Sequence, residues 1–505
     1  MNGKPKTKAT EKTSLLVTLL LWLLRILWVV FVVALPLAGV WAASSLAAYS
    51  NGPRWAALLA GLCFFPLFPL LWEAFASYRR SKKKLVKPRI LTYGDRILLR
   101  TLGLNLLFLG ALLALYPKTL FTALSARGDW FLDQASGAWA DKTRKFLFAT
   151  ADRLEWLYVA THENPYHEDQ PKPTGSSSAS SSSTPIPPPP PDNKPPPSEQ
   201  PKEKPAVATT SPSDPAKHWP WGEGLHPAVM NVPAEVETSP ASVARYIASK
   251  EPDPTLRIKA LHDWVADRIA YDGPNYRAGI YPPQDPDTVF STRKGVCAGY
   301  AKLLSAMGEA AGTPISYVVG VSRDMGGDVS GEGHAWNAAL VDGKWQLIDV
   351  TWDSGYLEGA DFVKRYSTDY LFAPPEVFGA NHLPEETRWQ LRDAPISRGE
   401  FVRQPNLRPG FAARGLVLID PNRSQVTVAR EAALTIKNNK GMSLLADFAE
   451  KGSTQETRCN VTPGDTILVR CDLPKQGTYH VRLFANETPS GSFHFVGQLE
   501  VNRRP

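Results

Sequence analysis

The sequence predicts a multi-domain chain: an N-terminal α-helical membrane anchor, an α+β core and a C-terminal all-β sandwich. Three observations predict it. Apolar runs dominate roughly the first 120 residues, Pro and Ser dominate from Pro171 to Ala216, and the rest alternates helical with strand periodicity before ending in short period-2 strands. The expected divisions are an anchor with three transmembrane helices (1–120), an amphipathic helical segment (121–162), a Pro/Ser-rich disordered linker (163–217), the α+β core (218–405) and the sandwich (406–505).

The first apolar run, Ser14 to Ala43, exceeds the roughly 7–15 residues of a signal-peptide core and reads as a retained span. Its one charge, Arg25, can snorkel toward headgroups. A second span fits Trp55 to Phe75 and a short third fits Leu102 to Tyr116. Lys4, Lys6, Lys8 and Lys12 precede the first span and nine Lys and Arg lie between Arg79 and Arg100, whereas the loop between the first two spans has only Arg54. Positive charge stays on the cytoplasmic side, so three spans starting there place the soluble part outside, in a periplasm or beyond a plasma membrane. Were the third segment interfacial, that part would face the cytoplasm instead. The net charge of +7 does not point to nucleic acid, because those nine juxtamembrane cations exceed it and suit anionic headgroups.

Between Ala123 and Ala160, Trp130, Phe131, Trp139, Phe146, Phe148, Trp156 and Leu157 recur at helical spacing, as on a helix lying on the membrane or against the anchor. HENPYHED follows, gathering His162, Glu163, His167, Glu168 and Asp169. Pro165 breaks any ligand spacing there, so the segment reads as solvated linker rather than a metal site. The Pro/Ser tract after it has too little apolar content for a core and reads as an extended spacer.

From about Asn406 seven short strands are separated by turn signals such as PNRS, PGD and KQG, the pattern of an immunoglobulin-like sandwich. Cys459 and Cys471 flank the PGD turn on adjacent strands, within reach of a disulfide worth roughly 3 kcal/mol. Such a bond implies an oxidising compartment.

In the core, GVCAGYAKLLSAMGEAAG (295–312) places Cys297 in the first turn of a helix with Tyr300, Ala301, Leu304, Met307, Gly308 and Ala311 on one face, and Gly312 and Pro314 stop it. Unpaired N–H groups and the positive dipole end favour a thiolate there. A thiol nucleophile needs a base. GHAWNAALVDGKWQLIDVTWD reads as a hairpin turning at Asp342-Gly343, in which position i faces position 685 − i. His334 then faces Thr351, Asp349 faces Trp336, and His334 and Asp349 become same-face diagonal neighbours about 7–8 Å apart. Asp353 shares the face but lies further along. The roles follow: Cys297 as nucleophile, His334 as base, Asp349 to orient the ring, and the Cys297 N–H as one oxyanion donor. Gly331 and Gly333, in the loop SRDMGGDVSGEG, suggest a mobile rim.

The Cys, His and Asp blocks, with LRIKALHDWVADRIAYD upstream and DYLFAPPEVFGANHLPEETRWQLRDAPISRGEF downstream, resemble the transglutaminase-like superfamily of papain-type folds, and more narrowly its kyphoscoliosis-peptidase branch. The resemblance implies a papain-type α+β core and the same three roles. It further implies peptide or amide hydrolysis, glutamine–amine crosslinking, or binding without catalysis. With all three residues present, the expected function is a membrane-anchored cysteine peptidase or amidase working through a thioester on an external protein, peptide or peptidoglycan-peptide substrate. A transglutaminase and a noncatalytic surface module are the alternatives. No metal, cofactor or nucleic-acid partner is expected, as there is no HExxH, paired CxxC or EF-hand loop.

Overall fold

A computed structural model describes residues 9–50, 52–82, 90–133, 135, 137–159, 164–166, 218–280, 282–324 and 329–504. The chain divides into two compact units, residues 1–162 with 504–505 and residues 163–503, each described by itself. The tract from Pro171 to Ala216 and the tip of the loop at residues 325–328 lie outside the described residues.

Among the described residues, the regular structure of the first unit is helical. Helix α1 is Ala9–Tyr49; α2 (Arg54–Leu62) continues through a short π turn into α3 (Phe68–Lys82); α4 is Tyr93–Leu115. Three stretches are long and apolar enough to cross a bilayer: Val17–Tyr49, Trp55–Lys82 and Tyr93–Leu115, of 33, 28 and 23 residues. Their large side chains, among them Trp22, Trp28, Trp55 and Trp72, point outward, as lipid-facing groups do. The third helix is longer than its apolar run suggests. Thr92 accepts from the Asp95 N–H while Asp95 accepts from the Thr92 N–H, a capping box that starts α4 before the apolar residues begin. Arg96 and Arg100 therefore lie on the helix, where both pair with Glu73, a carboxylate buried on α3.

The described residues of 121–162, expected as an amphipathic helical segment, form several shorter pieces within α5 (Pro117–Arg127), a 3₁₀ turn at Trp130–Leu132, α6 (Ala138–Asp152) and α7 (Glu155–Val159). They lie against the anchor: Leu120 and Leu124 share a buried cluster with Ala42 of α1, and the Trp41 indole donates to Gly128 O at 2.8 Å.

The second unit begins its regular structure with α8 (Pro227–Met230), α9 (Pro240–Lys250), α10 (Pro254–Arg268), β1 (Ala270–Tyr271), α11 (Gly273–Ala278), α12 (Pro286–Thr292) and β2 (Lys294–Gly295). Helix α13 (Cys297–Ala310) then leads into β3 (Ile315–Ser322), β4 (Glu332–Val341) and β5 (Lys344–Ile348). After α14 (Val350–Ser354) come β6 (Gly355–Glu358), β7 (Asp361–Lys364), α15 (Pro375–Phe378), β8 (His382–Pro384), α16 (Arg398–Arg403) and α17 (Pro409–Ala413). Four strands form an antiparallel sheet in the order β5-β4-β3-β8. Helices α10 and α13 bury Trp264, Tyr300, Leu304 and Met307 in one core with Ala339, Val341 and Ile348 of the sheet. Gly320 permits β8 to join: a Cβ there would lie 2.3 Å from Leu383 O and 2.4 Å from the Trp336 ring.

The β4–β5 turn has φ of 48° at Asp342 and 77° at Gly343, the left-handed conformations of a type I′ hairpin. Its register, Val341↔Lys344 to Asn337↔Ile348, follows the 685 − i rule. The expected ladder stops short, however. After Ile348 the Asp349 N–H donates to Tyr370 O, and Asp349 caps α14 by accepting from the Thr351 and Trp352 N–H groups. Thr351 is thus helical and does not face His334 across a ladder. A carboxylate placed to accept two successive backbone N–H groups ended the strand early.

The C-terminal region comprises β9 (Leu416–Asp420), β10 (Gln425–Val428), β11 (Glu431–Asn438), β12 (Ser443–Glu450), β13 (Glu456–Arg458), β14 (Asn460–Thr462), β15 (Thr466–Asp472), β16 (Gly477–Asn486) and β17 (His494–Arg503). They make two sheets, β10-β17-β16-β12-β13 and β14-β15-β11-β9, that share one core including Leu434, Ile436, Val469, Val481, Leu483 and Leu499. Strands β13 and β14 were not separate in the sequence pattern, since Glu456 to Thr462 is polar and short. Cys459 stands between them and is disulfide-bonded to Cys471 of β15, with Cα atoms 4.5 Å apart.

Candidate functional site

Cys297 is the first residue of α13, preceded by Val296 in extended conformation. The Gln284 side chain braces this junction: its Oε1 accepts the Val296 N–H at 2.8 Å, and Gly299 leaves it room, since a Cβ there would lie 2.4 Å from that oxygen. As the first helical residue, Cys297 has a backbone N–H with no partner in the helix ladder, and its sulfur sits at the positive dipole end.

His334 enters from β4, between Ala335 and Gly333, and Asp349 from the end of β5. The His334 Nε2 lies 2.7 Å from Asp349 Oδ2, which leaves Nδ1 as the ring nitrogen available to the Cys297 sulfur, a group near enough to act on the ring's charge. The three predicted residues therefore converge in the order sulfur, imidazole, carboxylate. All are buried; Cys297 is 2% exposed and Asp349 not at all. Asp353, the other acid considered, is turned to a different buried histidine: His262 Nε2 lies 3.1 Å from its Oδ2.

The charges are held by geometry. Burial alone would push His334 down, but the Asp349 carboxylate and the Cys297 sulfur raise it to about 10, so the ring is held as imidazolium. Burial would raise Asp349, but His334 and His382 hold it well below the usual carboxylate range. Burial pulls His382 down, against the pull of the same carboxylate. A sulfur facing an imidazolium that is itself anchored on a carboxylate can attack a carbonyl carbon and return a proton to the leaving group.

Two contributors escaped the sequence reading. His382 on β8 places Nε2 2.9 Å from the same Asp349 Oδ2, and its Nδ1 lies 2.8 Å from the Asn381 side chain, which in turn bonds the Tyr370 hydroxyl at 2.9 Å. Its only sequence signal is a histidine in an apolar strand, NHLP, some 33 residues beyond Asp349. His334, Asp349 and His382 are also the one group of possible metal ligands among the described residues, their ligand atoms within 4.8 Å of one another. The carboxylate oxygen is already shared by two ring nitrogens at hydrogen-bond distance, and an ion there would replace the proton that His334 Nε2 shares with Asp349. The other contributor is Tyr166. The reading of HENPYHED as solvated linker does not hold for its middle: Asn164, Pro165 and Tyr166 lie in the second unit, with Tyr166 buried beside Cys297. The flanking His162, Glu163, His167, Glu168 and Asp169 are outside the described residues.

Residues 241–350 match the profile of the transglutaminase-like superfamily. The chain is 31% identical over 237 residues to the kyphoscoliosis peptidase of Mus musculus, covering 45% of this chain and 35% of that protein. It is likewise 31% identical over 190 residues to the kyphoscoliosis peptidase of Homo sapiens, covering 36% of this chain and 29% of the relative. The chain thus spans about a third of the length of these curated relatives. A crystal structure of a TGase is 23% identical, with 27% of this chain and 36% of that chain covered at a TM-score of 0.20, a likeness too slight to bear on the site. The domain that carries Cys297, His334 and Asp349 belongs to the transglutaminase-like superfamily, in the branch that contains the kyphoscoliosis peptidases.

Proposed function

We propose that this protein is a membrane-anchored cysteine peptidase or amidase that cleaves peptide amides outside the cytoplasm. The observation that carries the reading is the convergence of Cys297, His334 and Asp349, with the imidazole between sulfur and carboxylate. The Cys297 sulfur attacks the amide carbon and the carbonyl oxygen becomes an oxyanion facing the Cys297 N–H. When the C–N bond breaks, His334 gives its proton to the leaving amine and the acyl group remains on sulfur as a thioester. Neutral His334 then takes a proton from water, whose oxygen attacks the thioester carbon; the C–S bond breaks, the acid leaves, and the thiolate again faces a protonated ring.

Anchoring and sidedness rest on three apolar helices with basic flanks and on the Cys459–Cys471 disulfide, which suits an oxidising compartment. The two C-terminal sheets with a shared core suit an immunoglobulin-like module that presents substrate or binds a surface polymer. A transglutaminase would share the thioester and resolve it with an amine. Iodoacetamide modification of Cys297 in the full chain, followed by peptide mass across pH, tests the site: His334→Ala is expected to slow it at least tenfold at neutral pH. Equal rates in wild type and His334→Ala would count against catalysis and favour a binding module.

A further inference from the structure

We propose that the groove over Cys297 is a subsite for an aromatic side chain carried on a turning peptide, and that the chain's own Asn164-Pro165-Tyr166 fills it, so that substrate must displace this strap to reach the sulfur. The proposal rests on the reading of Cys297 as nucleophile and adds the ligand class and the control of the same site.

The strap is held at each of its three residues. Asn164 Nδ2 donates to Gly320 O of β3 at 2.7 Å, while its Oδ1 accepts the Tyr166 N–H at 3.1 Å, closing an Asx turn. Pro165 sits over Gly333 of β4: a Cβ on that glycine would lie 3.2 Å from Pro165 Cδ and 3.0 Å from Asn164 Oδ1, so the absent side chain is what lets the strap approach. The Tyr166 carbonyl accepts from the Tyr317 hydroxyl at 3.4 Å. Its ring is only 4% exposed, although it comes from a segment between long polar stretches, and it shares a cluster with Val296, Cys297, Ala298, Tyr317, Val319 and Ala335. The ring packs against Cys297 within this cluster.

These contacts are those a bound peptide would make. Main-chain and side-chain amide bonds to the edge of the site hold a turn, an apolar floor receives one ring, and the ring ends on the nucleophile. Tyr271 and Tyr276 pack against the same cluster, so the floor is aromatic and apolar with phenols at its rim, suited to a ring bearing a hydroxyl. Cys297 is 2% exposed with Tyr166 packed beside it, so a substrate carbonyl needs the space that the ring fills. In sequence the strap immediately precedes the Pro/Ser tract, whose composition gives a tether able to follow its release.

The test is the rate of Cys297 modification by iodoacetamide in the full chain in detergent micelles, resolved by peptide mass so that Cys63 is read separately. Tyr166→Ala is expected to raise the rate at least tenfold. Asn164→Ala, which removes the tether to Gly320 without touching the apolar cluster, is expected to raise it too, while Tyr166→Phe stays within threefold of wild type because the ring still covers the sulfur. Adding acetyl-Asn-Pro-Tyr-amide to Tyr166→Ala should restore protection, and acetyl-Asn-Pro-Ala-amide should not. Rates for Tyr166→Ala and Asn164→Ala within twofold of wild type would overturn the strap, and equal protection by the two peptides would overturn the aromatic subsite. An exposed, peptide-protected Cys297 that never forms a thioester would leave the strap standing and remove the catalytic reading instead.

Discussion

Replacing Asp349 by Asn removes a charge but keeps the shape of the group that His334 leans on, and its effect can be worked from the site. The ring is raised from its ordinary 6.5 to about 10 against a burial that pulls it down, and Asp349 contributes more than Cys297 both through charge and through its hydrogen bond. Removing Asp349 therefore withdraws more than half of a lift larger than the net rise, so the His334 midpoint should fall by about 2 pH units or more, on the order of 3 kcal/mol. That agrees with the roughly 3–5 kcal/mol expected when one partner of a buried charge pair is removed. The assay is a ¹³C titration of selectively labelled histidine in the full chain, with His334 assigned by its loss in His334→Asn. Asp349→Asn should give a midpoint near or below about 8, and at pH 8–9 a loss of the imidazolium that wild type retains. A midpoint unchanged within about half a unit would refute the claim that Asp349 holds the ring's charge. In Cys297→Ala the same resonance should move down by a smaller amount.

Other consequences follow from the same geometry. His334, whose midpoint is raised, contributes stability fully present below about pH 6.5 and lost as pH climbs through about 10. Asp349, held low, contributes above about pH 4 and loses it as pH falls, so thermal stability should decline toward both ends of the pH range, with the alkaline decline flatter in His334→Gln. His382→Ala leaves Asp349 Oδ2 with one ring partner and should cost roughly 1.5–3 kcal/mol while lowering Cys297 reactivity; His382→Asn, which keeps a donor, should recover part of both. Gly320→Ala forces a methyl against Leu383 O and Trp336 and should destabilise by about 1–3 kcal/mol or more, read by denaturant unfolding. Reducing the Cys459–Cys471 bond, or Cys471→Ser, should cost about 2–4 kcal/mol and leave His334 titration unchanged.

How far the sequence carried each part depended on how local its cause was. The DG turn dictated a two-residue hairpin, and through it the pairing from Val341↔Lys344 to Asn337↔Ile348 was legible residue by residue. The proximity of His334 and Asp349 followed, although by a different path: the carboxylate caps a helix instead of extending the strand, a competition between ladder and cap that alternation alone does not reveal. The start of the third apolar helix was misplaced for a related reason, because a capping box at Thr92 and Asp95 recruits charged residues whose partner, Glu73, is distant in sequence. His382 and Tyr166 were beyond reach in another sense. Each is a single residue whose role exists only when β8, or the stretch Asn164–Tyr166, is laid beside β3 and β4, and neither carries a spacing that announces it. Composition correctly marked the surroundings of Tyr166 as polar but could not mark one buried ring within them.

The most direct measurement of the central claim is the chemical state of Cys297 during turnover. Full chain in micelles is incubated with casein peptides, quenched in acid and digested, and the Cys297 peptide is weighed before and after hydroxylamine. The expected result is an acyl mass on Cys297 that hydroxylamine removes, that is absent in Cys297→Ala and much reduced in His334→Ala, and that increases in Tyr166→Ala. Peptide cleavage that persists in Cys297→Ala, with no acyl mass on Cys297 in wild type or Tyr166→Ala, would contradict it.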